Sequence, residues 1–83
     1  MTHDEWTKAI AGAERVGHER WEASGGWDGR EVEVYRLTSG ELLLREEWRH
    51  IDADGPRITV ERVTEEQARA ALARVRAEAA ELP

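Results

Sequence analysis

The sequence predicts an α+β fold. A three-stranded antiparallel meander carries an N-terminal and a C-terminal helix packed on one face, in the order α-β-β-β-α, with room for an extra edge strand near residue 21. Three observations lead there. Residues 31–63 read as three strands joined by the turn clusters Thr38-Ser39-Gly40 and Asp52-Ala53-Asp54-Gly55-Pro56. Apolar residues recur at helical spacing before that stretch, and a capped helical run follows it.

Taken in order, Thr2 reads as an N-cap, with Glu5 completing a capping box. Trp6, Ala9, Ile10, Ala13 and Val16 then share one helical face, and Gly17 is a natural stop, so a helix is expected over 3–16. Gly12 inside that helix would cost about 1 kcal/mol relative to Ala. Residues 18–23 either extend the helix or form a short edge strand around Trp21. Residues 24–30 are a loop by composition, and Trp27 stands among its glycines. Trp27 either folds back as a lid over the core or is an exposed anchor for a partner.

The sheet spans 31–63. Leu42, Leu44, Trp48, Ile58 and Val60 are expected on its buried face. Val32 and Val34 join them if the first turn has three loop residues with Gly40 left-handed. A two-residue turn would bring in Tyr35 and Leu37 instead. The three-residue turn is preferred because it leaves Glu33 outside. Thr64 caps a second helix over 65–81, with Gln67 as its capping-box partner. Ala68, Ala71, Leu72, Val75, Ala79 and Leu82 form its buried stripe, and Glu65–Arg69 and Arg74–Glu78 are spaced as ion pairs.

The 83 residues fit one domain, 1–83, with a thin core: six Leu, six Val, three Ile, one Met, four Trp, one Tyr and no Phe. A chain of this kind gains from a second copy, so a homodimer is expected. The absence of cysteine removes disulfides, thiolate chemistry and zinc ribbons, and suits a reducing compartment. The acidic first residues hold no apolar run, so the expectation is a cytoplasmic protein with no membrane contact. A net charge of −6 disfavours broad phosphate binding. Eleven of the twelve basic residues are Arg.

No constellation points to catalysis. The two serines, Ser24 and Ser39, lie in turns, and His3, His18 and His50 are scattered. His50, Asp52 and Asp54 alternate as metal ligands do in an extended segment, but Asp and Gly are the ordinary residues of a hairpin turn, and no metal or cofactor is expected. Glu46 shares parity with Leu44 and Trp48; the favoured reading is an edge position where that face becomes wet, and the alternatives are strain, a bulge or a pair with an Arg such as Arg62.

The run Val34-Tyr35-Arg36-Leu37-Thr38-Ser39-Gly40-Glu41-Leu42-Leu43-Leu44, a Trp-bearing strand and the opening Val63-Thr64-Glu65-Glu66-Gln67-Ala68 resemble a set of small uncharacterised bacterial proteins built as a strand meander plus a helix. The resemblance covers residues 31–80 and implies no activity.

The functional expectation is a non-enzymatic protein-interaction or regulatory module using the open sheet face. That face would hold Glu33, Tyr35, Leu37, Leu43, Arg45, Glu47, Arg49, Thr59, Glu61 and Val63. Trp27, Tyr35, Arg45 and Arg49 are its interaction residues, since Trp, Tyr and Arg dominate interface centres. The alternative is a sheet platform for single-stranded nucleic acid, with Arg36, Arg45, Arg49, Arg57 and Arg62 among Tyr35, Trp48 and Trp27.

Overall fold

A computed structural model describes residues 2–23, 25, 28–50 and 55–82. The chain runs α1 (His3–Ala9), β1 (Glu14–Ala23), β2 (Asp28–Arg36), β3 (Leu42–Arg49), β4 (Arg57–Val63) and α2 (Glu65–Ala80). The strands form one antiparallel sheet in the order β1-β2-β3-β4. The α+β class and the meander are as expected, and the extra edge strand is a full ten-residue element.

The first helix is shorter than its apolar pattern. Thr2 caps it, accepting a hydrogen bond from the Glu5 amide at 3.2 Å. It ends at Ala9, and Gly12 takes φ +79°, the left-handed region that a helix interior excludes. Residues 14–16, expected in the helix, belong to β1. Pairing with β2 supplies a ladder that seven further helical residues could not match without a packed face. Gly17 is therefore not a helix stop. A Cβ there would lie 2.7 Å from Leu72 Cδ1, so its bareness lets α2 settle on β1. The strand β2 begins at Asp28, inside the expected loop 24–30, while Trp27 lies outside the described residues.

The first hairpin has the three-residue turn. The Leu37 amide donates to the Glu41 carbonyl at 2.9 Å, and Gly40 has φ +91°. Val34 thus faces Leu44, and Arg36 faces Leu42. Val32, Val34, Leu42 and Leu44 pack against Ala68 and Val75 of α2, with Trp21, Val63, Ala71 and Leu72 at the margin. The α2 stripe and its capping box are as expected, with Thr64 and Gln67 bonded reciprocally at 3.1 and 2.9 Å.

Two placements are corrected. In the second hairpin Leu42 faces Val63 and Glu47 faces Ile58, so even positions of β3 oppose odd positions of β4. Ile58 and Val60 therefore lie on the face away from α2, where Ile58 is 50% exposed, while Thr59, Glu61 and Val63 turn to the α2 side. The turn's residue count decides this parity, and a one-residue difference flips every side chain. The second correction concerns the helices. Trp6 stands edge-on to Tyr35, with ring centroids 5.0 Å apart. Tyr35 and its partner Leu43 point away from α2, so Trp6 packs on the opposite face, where Leu43 is fully buried. A thin core on one face leaves apolar residues on the other to be covered.

Candidate functional site

The face opposite α2 is built by alternation. From β1 it takes Arg15, His18, Arg20 and Glu22, from β2 Glu31, Glu33 and Tyr35, and from β3 Arg45, Glu47 and Arg49. Antiparallel pairing sets Glu33 beside Arg45 and Glu31 beside Glu47. The first pair sets opposite charges directly across from one another; the second sets two carboxylates together, and Arg45 lies within 4.0 Å of both.

Glu33 is the centre of this network. It accepts hydrogen bonds from Tyr35 Oη at 2.7 Å, from Arg15 Nη1 at 3.3 Å and from Arg45 Nη1 at 3.3 Å. Arg45 also donates to Glu47 at 3.3 Å and lies 4.0 Å from Glu31. Arg49 continues the chain, 3.8 Å from Glu47 and donating to Glu22 at 3.1 Å. Arg20 pairs with Glu22 as well, and His18 Nε2 lies 2.7 Å from Glu31 Oε2.

The titration of these groups follows from the geometry. Burial pushes the Glu33 carboxyl up, but the Tyr35 hydroxyl and the Arg15 and Arg45 guanidiniums outweigh it and hold the group below its ordinary value. Burial first, then the bond to Glu33, pushes the Tyr35 phenol up. The Arg49 hydrogen bond, with the Arg20 charge, lowers Glu22.

Tyr35, Arg45 and Arg49, expected as interaction residues, are thus brought together by Glu33 and Glu47. Trp27 falls outside the described residues. Four guanidiniums (Arg15, Arg20, Arg45, Arg49) stand against four carboxylates (Glu22, Glu31, Glu33, Glu47), so this part of the face presents ordered charge of both signs and no net field. The sequence left out Trp6, which covers Tyr35, because both helices were expected on one face, and left out Arg15, His18, Arg20 and Glu22, because residue 15 was expected in the helix and 18–23 stood between helix and edge strand. The alternation of His18, Arg20 and Glu22 with Glu19, Trp21 and Ala23 was the available signal, and the bulge between Arg15 and Gly17 breaks its phase before that.

On the α2 side, Arg30, Glu46, Trp48, Arg57 and Thr59 line a cleft of about 260 Å³. Glu46 does come to this side, and its partner is Arg30 at 3.9 Å rather than Arg62, which pairs with Glu41 at 3.0 Å. Glu78 joins the same corner, 3.4 Å from Arg30 and accepting from Trp21 Nε1 at 2.9 Å, instead of pairing along the helix with Arg74. Among the described residues no three His, Asp or Glu side chains come together as a metal site, and His50 is exposed. No described helix is long and apolar enough to cross a membrane.

The class this defines is an antiparallel α+β protein with a charge-laced sheet face. Among known protein families, curated proteins and solved structures, nothing matches the chain.

Proposed function

We propose that this protein is a small non-enzymatic interaction module, a cytoplasmic homodimer that presents the Tyr35–Arg45–Arg49 face to a protein partner. The observation that carries this reading is the closed ion network beside a half-exposed Ile58 and a partly exposed Val60 on the same face. Charged groups held in place before binding lose little freedom on association. Their mixed signs suit a protein surface better than a polyanion. The surface of 5790 Å² exceeds the ~5,000 Å² usual for a monomer of this mass, which favours a second copy.

A nucleic-acid platform has less support. Stacking needs exposed aromatics along one face. Here Tyr35 is covered by Trp6, and Trp48 lies on the other side of the sheet.

The test is affinity capture with the wild-type chain and with Arg45→Ala and Arg49→Ala, followed by titration of any purified captured protein and, in parallel, of a mixed-sequence oligonucleotide at two salt concentrations. A protein complex weakened about tenfold or more by the substitutions supports the reading. A complex that ignores them moves the site elsewhere. Oligonucleotide binding that falls steeply with salt, with no protein complex, replaces this reading with the alternative.

A further inference from the structure

The sheet has two edges, and they differ. The β1 edge is interrupted by a bulge between Arg15 and Gly17, and α2 leans on that strand through Arg76–Glu19 at 2.7 Å and Trp21–Glu78. Bulges and covering elements are the usual protection of an edge. Among the described residues the β4 edge has neither. It pairs with β3 without irregularity, and Arg57, Ile58, Thr59, Glu61 and Arg62 are all exposed.

Charge distinguishes it further. On the other strands the sheet's Arg residues are paired within the chain, and Arg62 of β4 has Glu41. Arg57 and Glu61 form no ion pair with any described residue. They lie on the same side of β4, two positions either side of their midpoint Thr59, while Ile58 and Val60 flank Thr59 on the other side.

We infer that two copies join through their β4 strands, antiparallel about Thr59, into one eight-stranded sheet. This deepens the homodimer reading and rests on it. A two-fold axis perpendicular to the sheet keeps faces matched, so it must set one residue against its own copy. Centring on Glu61 opposes two carboxylates. Centring on Ile58 sets Val60 against Pro56, which has no amide hydrogen to donate. Centring on Val60 sets Ile58 against Arg62 and Thr59 against Glu61. Centring on Thr59 sets Arg57 against Glu61 twice, Ile58 against Val60 twice, and Thr against Thr. All three are favourable cross-strand pairs. The backbone of each edge supplies the other with partners. The joined face then carries a four-residue apolar centre, Ile58 and Val60 from each copy, between two ion networks.

The test uses the absence of native cysteine. Light scattering first measures the mass of the wild-type chain. Thr59→Cys is then oxidised, with Val60→Cys as its control. Arg57→Glu, Glu61→Arg and the double variant are compared for dimer dissociation. The inference expects a wild-type dimer and a disulfide-linked Thr59→Cys dimer. Val60→Cys should stay unlinked, its Cα atoms about 8 Å apart. Each charge reversal should weaken the dimer about tenfold or more, with recovery in the double variant. A monomeric wild type overturns both the homodimer and this interface. A dimer that links equally through Val60→Cys, or ignores the charge reversals, overturns the interface alone.

Discussion

The Tyr35 hydroxyl donates a 2.7 Å hydrogen bond to Glu33, two residues back on the same strand, and so stabilises the ionised form of a partly buried carboxylate that two arginines also hold. Each partner shifts the other. Glu33 has a folded pKa below its unfolded value, so its contribution to stability is full above about 4.3 and lost as pH falls through the folded value. Tyr35 has a folded pKa above its unfolded value, so its contribution is full below about 10 and lost as pH rises through the folded value. Tyr35 is the one tyrosine of the chain, so tyrosinate absorbance reports it alone. The midpoint should lie above about 10 and move part of the way back in Glu33→Gln, burial remaining. An unchanged midpoint would remove the bond from the account.

Trp6 is the anchor of α1, a helix of seven residues with no other large buried side chain among those described. Trp6→Ala should destabilise the protein by about 3 kcal/mol in urea unfolding and expose Leu43 and Tyr35. The Tyr35 midpoint should fall in the same variant, since its first cause is burial. Loss of stability without that fall would place Trp6 elsewhere.

Gly12→Ala separates two readings of the N-terminal segment. In a helix running to residue 16 the substitution stabilises by about 1 kcal/mol. At φ +79° it destabilises by about 1 kcal/mol instead. Urea midpoints of the two proteins decide the sign.

Trp21→Phe keeps the ring on the edge of the core and removes the donor to Glu78, which is about one-third exposed. The expected loss is about 1 kcal/mol. Glu78→Gln in the same background should add little if Trp21 is the main partner. Near-full additivity of the two losses would assign Glu78 to Arg30 instead.

Much of the architecture was readable because it depends on local rules. The alternation of Glu31 to Leu37 and Glu41 to Arg49 required strands. Thr38-Ser39-Gly40 marked a turn with two possible registers, and the preferred three-residue form, with Gly40 left-handed, is the one that sets Val34 against Leu44. The stripe from Ala68 to Leu82 required a helix. The same alternation put Tyr35 and Arg45 on one face, so that part of the site was visible too.

The misreadings share a cause. Trp6, Ala9, Ile10, Ala13 and Val16 carry a helical period, but Gly17 to Ala23 alternates in exposure as a strand does. An exposed ten-residue strand is chosen over a helix only when a neighbour such as β2 offers hydrogen bonds across its length. The placement of Ile58 depended on the length of a turn that composition does not determine.

By itself the sequence determined the strand meander and the C-terminal helix with its cap, and it narrowed the first hairpin to two registers, the preferred one grouping Tyr35 with Arg45 and Arg49, since each rests on spacing within one or two adjoining segments. The tertiary structure alone decided that residues 14–23 form a strand, that Trp6 covers Tyr35 on the face opposite α2, that Glu33 gathers Arg15 and Arg45, and that β4 shows Ile58 and Val60 outward. Those outcomes are pairings between segments far apart in the chain. Their free energy comes from ladder hydrogen bonds and buried contacts that no short window of residues contains.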